Sequence, residues 1–258
     1  MDIKESEISP TVDPEIQEVS DKIRELDELK NTFIALVSHE LRTPLNLLAG
    51  YLSLGMEELE VNSTKAKEYF SLVEENTKNL MRIVQELTDF TRLQLGKEIT
   101  FLDPIPIGEA FLQTYDLLKP NLQKKNINLV VDFPDNVKEL QYDGESLIIL
   151  FRNLLSNAAK FSMDDGKVVV VGKIQDDQLS ITVHDWTIPI PETKREVIFE
   201  DFRQLENYLT RRYEGMGLGL AVARRTAQFL GGNIKLNVRN DGNTFEIILP
   251  IDELEDPV

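Results

Sequence analysis

Residues 167–175, KVVVVGKIQ, and 178–185, QLSITVHD, decide the fold class of the second part of the chain. Both are short runs rich in β-branched residues, separated only by Asp176 and Asp177, and they read as two strands. Upstream, EAFLQTYDLLKPNLQKKN (109–126) reads as a helix, INLVVDF (127–133) as a strand and GESLIILFRNLLSNAAKF (144–161) as a strongly apolar helix. Downstream, MGLGLAVARRTAQFLGG (216–232) reads as a helix. NIKLNVR (233–239) and TFEIILP (244–250) flank an Asn-Asp-Gly-Asn turn as a terminal hairpin. Helices mixed with mostly antiparallel strands imply an α+β two-layer sandwich, with the helices on one sheet face.

The texture before FLDPIPIGE (101–109), whose two prolines and glycine mark a boundary, is different. Ile16, Val19, Ile23 and Leu26 fall at helical spacing. Phe33, Val37, Leu41, Leu45, Leu48 and Leu52 resume the stripe after a shift near Leu29. EVNSTKA (60–66) breaks this helix, with Ser63 or Thr64 placed to cap the next. A second stripe follows through Ala66, Phe70, Val73, Thr77, Leu80, Val84, Leu87 and Thr91, with Gly96 as its stop. Two amphipathic helices alone leave much of both stripes wet, so the all-α helical hairpin is expected to pair with a second copy as a four-helix bundle. The expected division is a lead-in over 1–20, the hairpin domain over 21–97, the sandwich over 98–252 and an acidic tail over 253–258.

Composition narrows the function. A formal charge of −17 over 258 residues, with no Lys/Arg run of five, argues against nucleic-acid binding. The absence of cysteine excludes disulfides and thiolate metal sites. No apolar run approaches the ~20 residues needed to cross a bilayer, and MDIKESEISP is too acidic and polar for a signal peptide. The expectation is a cytoplasmic segment with no membrane contact of its own, any membrane sensor belonging to a longer chain.

Three stretches carry chemistry. In FIALVSHELRTPL (33–45), His39 lies about 200° round the helix from Val37 and about 160° from Leu41, pointing away from the apolar stripe. An exposed imidazole offers a ring-nitrogen lone pair as a nucleophile. Glu40 can accept its proton or fix its tautomer. Thr43 shares its helix face, and Pro44 is expected to bend the next turn. In FRNLLSNAAKF (151–161), Asn153, Asn157 and Lys160 run along one side of an otherwise apolar helix. The two amides either cap neighbouring loops or supply a hard oxygen ligand for Mg²⁺, with Lys160 as a point charge for phosphates. In GMGLGLAVARR (215–225), Gly215, Gly217 and Gly219 run into a helix N-terminus, where backbone amides can approach an anion. A dinucleotide fingerprint is excluded by context, because the polar ENYLTRRYE (206–214) precedes it where a buried strand is required.

SHELRTPL, NLLSNAAKFS and GMGLGLAVARR, in this order over residues 20–250, resemble the core of bacterial sensor histidine kinases of two-component systems. The resemblance implies a dimerising phosphoacceptor hairpin joined to an ATP-binding domain of the Bergerat, or GHKL, type. It implies that His39 is phosphorylated from Mg·ATP with help from Glu40, that an aspartate of a response regulator receives the phosphoryl group, and that Thr43 orients a water for the reverse task. Asn157 is then the Mg²⁺ ligand of the N-box. Asn153, Lys160 and Phe161 line the nucleotide, with Gly215, Gly217, Gly219 and Leu220 as the G2 box. Residues 192–214, with the basic Arg203, Arg211 and Arg212, form the lid, and IFEDF (198–202) is its F-box. In HDWTIPIPE (184–192), Asp185 takes the place of the adenine-reading aspartate. Thr187 and Pro189 stand where the family's motif has two glycines. If the backbone there needs positive φ, strain on the order of 1 kcal/mol at each position is expected to weaken ATP binding about tenfold. Trp186 reads as a half-buried aromatic at a strand end. Two other readings stay open: a phosphotransfer or phosphatase protein that binds nucleotide weakly, and a dimeric scaffold without enzymatic activity.

Overall fold

The computed structural model describes residues 14–94, 104–203 and 216–251. The chain divides into two compact units, residues 1–77 and 78–258. Helix α1 (Pro14–Glu58) runs unbroken through Pro44, and α2 (Ser63–Gln94) spans the division between the units. Gly96 and the acidic tail lie outside the described residues.

In the first unit the turn between the helices is closed by Asn62, not by Ser63 or Thr64. Its side chain accepts from the Lys65 N–H at 3.1 Å and its carbonyl from the Ala66 N–H at 3.0 Å, which makes Asn62 the N-cap. Behind it, Gly55 lets the Phe70 ring approach, and Tyr51 stacks on Tyr69 at 6.3 Å. Burial on α1 follows Leu36, Glu40, Pro44 and Gly55, with Phe33, Val37, Leu41 and Leu48 half-buried. Leu45 and Leu52, expected in the same stripe, stand half exposed. On α2, Ile83 is buried where the sequence stripe placed Val84. A helix with apolar residues on more than one face has more to cover than one neighbouring helix can reach.

The second unit is the sandwich. Strand β1 (Pro104–Pro106) pairs antiparallel with β3 (Gln141–Asp143), a small ribbon the prolines disguise in the sequence. The main sheet contains β2 (Asn128–Asp132), β4 (Lys167–Gln175), β5 (Gln178–Asp185), β6 (Asn233–Arg239) and β7 (Gly242–Pro250), in the order β2-β4-β5-β7-β6. All neighbours are antiparallel except β2 and β4, which run parallel. Helices α3 (Ile107–Lys124), α5 (Gly144–Phe161) and α6 (Gly219–Phe229) contribute to one core with the sheet, and the short α4 (Asp135–Lys138) adds Val137. Alternation assigns the inward face: Leu179, Ile181 and Val183 on β5, and Phe245, Ile247 and Leu249 on β7, are all buried. At the centre Phe151 of α5 meets Phe111 of α3 edge-on at 5.5 Å.

The β4–β5 turn is built from Asp176 and Asp177, both at positive φ (49° and 56°), the left-handed pair a two-residue hairpin demands. Within the second unit, the last turns of α2 meet α5 through Asp89 with Arg152 and Arg92 with Glu145. Phe90 lies 5.4 Å from Phe202. Burial pushes the Asp89 carboxyl above its ordinary range, against the opposing pull of Arg152. Among the described residues no helix is long and apolar enough to cross a membrane.

Candidate functional site

On α1, His39 is 69% exposed while the neighbouring Glu40 side chain is 7% exposed. Imidazole Nδ1 faces Glu40 Oε1 at 3.4 Å. With Nδ1 carrying the proton toward the carboxylate, Nε2 keeps its lone pair and is the nucleophilic nitrogen. Thr43 sits one turn on, its hydroxyl donating to the His39 carbonyl at 3.2 Å. His39, Glu40 and Thr43 therefore form one local cluster, with the helix continuing through Pro44.

The second cluster is built around α5, which is capped at both ends by side chains. Asp143 caps its start by accepting from the Ser146 N–H at 2.8 Å. At its end the Lys125 ammonium donates to the carbonyls of Ala159 (3.0 Å), Lys160 (2.6 Å) and Ser162 (2.9 Å). A cation there satisfies orphan carbonyls and matches the helix dipole. Along the helix, Asn153 is buried and donates to the Ile149 carbonyl at 2.8 Å. Asn157 is half-buried, and among the described residues no side-chain hydrogen bond engages it. Lys160 lies 5.0 Å over the exposed Phe161 ring.

The glycine-rich stretch meets this helix. Gly217 has φ 73°, and any side chain there would strike the Arg203 carbonyl. Gly219 opens α6 with no side-chain cap on the helix, so its first N–H groups have no intrahelical partner. A Cβ on Gly219 would lie 3.1 Å from Asn153 Oδ1 and 3.9 Å from Asn157 Nδ2. The uncapped N-terminus of α6 thus lies against both amides. Leu220 follows, half-buried, in the first turn of α6. The base of the expected lid is anchored on the same helix: Arg224 lies 3.8 Å over the buried Phe199 ring and pairs with Glu196 at 3.0 Å, while Arg225 pairs with Asp201 at 2.6 Å. Arg203 pairs with Glu200. Gly215, Arg211 and Arg212 lie outside the described residues.

Asp185, 3% exposed, ends β5 on its inward face, opposite Asn243 of β7. The expected strain in the loop after it is absent. No residue from 185 to 191 has positive φ, so Thr187 and Pro189 are accommodated without left-handed backbone. Instead, the Thr187 N–H donates to Asp185 Oδ1 at 3.1 Å and the Thr187 hydroxyl donates to the same oxygen. Trp186 is 40% exposed and packs edge-on against His184, at 4.2 Å between ring centres. Asn243, Lys125 and the Arg224–Phe199 contact were not anticipated from the sequence. Asn243 had a visible signal, a polar side chain on the same alternation as Phe245, Ile247 and Leu249.

Residues 142–253 match the family described as histidine kinase-, DNA gyrase B- and HSP90-like ATPases, and residues 29–96 match the His Kinase A phospho-acceptor domain. The chain belongs to the sensor histidine kinases of two-component systems. Among curated relatives, an uncharacterised sensor-like histidine kinase of Rhizobium meliloti is 30% identical over 88% of this chain and 44% of its own length. Histidine kinase BarA of Escherichia coli K12 is 30% identical over 90% of this chain and 26% of its own. The chain thus spans less than half the length of these relatives. Histidine kinase ThkA, solved with the response regulator TrrA, shares the fold over 94% of this chain and 68% of that one, with a TM-score of 0.64 and 22% identity. ShkA, solved with AMPPNP, matches over 84% of this chain and 45% of that one, with a TM-score of 0.58 and 26% identity.

Proposed function

We propose that the chain is an ATP-dependent protein-histidine kinase, with residues 21–97 as dimerisation and phosphoacceptor domain and 98–252 as ATP-binding domain. The observation that carries this reading is the uncapped N-terminus of α6 laid against Asn153 and Asn157. That arrangement offers amide N–H groups and Lys160 to phosphate oxygens, and Asp185 a carboxylate to an exocyclic amine. The donor set suits Mg²⁺: Asn157 presents a hard amide oxygen that nothing else engages among the described residues. No group of three or more His, Cys, Asp or Glu able to hold a metal occurs among the described residues, so phosphate oxygens and water would complete the shell. When bound, Mg²⁺ neutralises charge on the phosphates.

His39 Nε2 bonds to the γ-phosphorus as the bridging P–O bond breaks and ADP leaves, and the Nδ1 proton shifts toward Glu40. The phosphoryl group then passes to an aspartate of a response regulator docked on the hairpin. The Thr43 hydroxyl, its proton given to the His39 carbonyl, offers its lone pairs to a water that hydrolyses the regulator's phosphoaspartate. The apolar residues left exposed on α1 are covered by a second copy, giving a homodimer.

Incubation with γ-labelled ATP and Mg²⁺ tests the proposal. Acid-labile, base-stable label is expected on the intact protein, with none on His39→Gln and a steep loss on Asn157→Ala. An intact protein that takes no label at millimolar ATP overturns it.

A further inference from the structure

The loop after β5 departs from the family's glycine-based motif, and the structure shows what stands in its place. Asn243, 1% exposed, donates to the Ile188 carbonyl (3.1 Å), to Thr187 Oγ1 (2.7 Å) and, at 3.4 Å, to Asp185 Oδ1. Its own amide oxygen accepts from the Ile190 N–H at 2.9 Å, which fixes which way the amide faces. Thr187 in turn donates through both its N–H and its hydroxyl to Asp185 Oδ1. Three donors therefore converge on one oxygen of the carboxylate. Gly242 makes the arrangement possible. A Cβ there would lie 2.0 Å from the Asp185 carbonyl oxygen, so only glycine lets β7 bring Asn243 this close.

We infer that Asn243 and Thr187 are positioning residues for base recognition: they saturate Asp185 Oδ1 and present Oδ2 alone to the exocyclic amine of adenine. This inference rests on the nucleotide reading above. A buried carboxylate with one oxygen committed cannot swing to offer the other edge, so the Asn243–Thr187 chain replaces, with side chains, the definition that a glycine loop gives through its backbone. A base with a carbonyl at the position of that amine places an acceptor against an acceptor, and Asp185 rejects it.

Equilibrium binding of ATP and of inosine triphosphate, which carries that carbonyl, separates the possibilities, with thermal melting confirming that each variant is folded. In Thr187→Val, which keeps the shape and removes the hydroxyl, ATP affinity is expected to fall about tenfold while inosine triphosphate affinity changes little. The preference between the two nucleotides therefore collapses. Asn243→Ala moves the same way, and Thr187→Ser, which restores the hydroxyl, recovers most of the lost ATP affinity. Unchanged ATP affinity in Thr187→Val, or equal loss for both nucleotides, overturns the assignment while leaving phosphotransfer intact. ATP binding without labelling of His39 overturns phosphotransfer and leaves this assignment standing. An intact chain that binds no ATP overturns both.

Discussion

In residues 14–77, Leu36 and Ala66 are the buried hydrophobic side chains among those described, whereas Ile34, Leu45, Leu47, Leu52, Leu54 and Met56 stand exposed. In residues 104–251, one cluster from Ile107 to Leu249 closes around Phe151, and even the polar groups that end its strands, Asp185 and Asn243, find partners. The first unit leaves apolar side chains uncovered on its own, and the second is a domain with its own interior. Among the described residues, His39 of the first is held by Glu40 and Thr43 of its own helix. Asp185, by contrast, is held by residues up to 58 positions away.

The largest expected effect breaks this contrast at the hairpin. Leu45→Asp with Leu52→Asp removes two half-exposed leucines from each protomer, about 1 kcal/mol per side chain when covered, and places charge where apolar surface should meet. The dimer dissociation constant, followed by light scattering, is expected to rise more than a hundredfold, with the melting of the sandwich unchanged. A loss of sandwich stability of the same size would contradict the division.

Phe151→Ala tests the other side. Deleting a fully buried ring is expected to destabilise the sandwich by about 3–5 kcal/mol in denaturant unfolding and to leave dimerisation unaffected.

Asp89, where α2 enters the second unit, gives a smaller effect that depends on pH. Because burial raises its folded pKa above the unfolded value near ~3.9, its contribution to stability is complete below about pH 4 and is lost as pH rises through the folded value. Asp89→Asn removes that loss. The melting temperature of the variant relative to the native protein should therefore increase by a few degrees between about pH 4 and pH 7. A difference that does not change with pH contradicts the assignment.

The smallest effect is at the β4–β5 turn. Asp176→Asn with Asp177→Gly supplies the pair that left-handed backbone prefers and removes adjacent like charges. The sandwich is expected to gain about 0.5–1 kcal/mol, read as a higher melting temperature.

Much of this organisation was legible in the sequence because periodicity reports burial. The β-branched pattern of QLSITVHD placed β5, and the helical angle of His39 placed it in solvent. What escaped had definite causes. Two prolines in Pro104–Pro106 read as a boundary and hid β1. An edge strand carries no mark of parallel pairing, so the mostly antiparallel pattern did not single out β2 as the exception. Asn62 took the cap from Ser63 because a side-chain acceptor one residue earlier reaches the same free N–H groups. Strain was expected at Thr187 and Pro189 from the family's glycines. A hydroxyl and an amide rebuilt the loop along a path that needs no left-handed residue, which a motif comparison cannot show.

The parallel pairing of β2 with β4 also has a consequence in time. No tight turn can close a parallel pair, and the connection from Phe133 to Gly166 carries α4, β3 and the whole of α5. The edge strand is expected to find its register on β4 only once that connection has folded, while β4 and β5 can zip together across their two-residue turn. The helix bearing Asn153 and Asn157 is therefore also a step in the assembly of its own sheet. During refolding, the amides of β2 become protected from hydrogen exchange after those of β5.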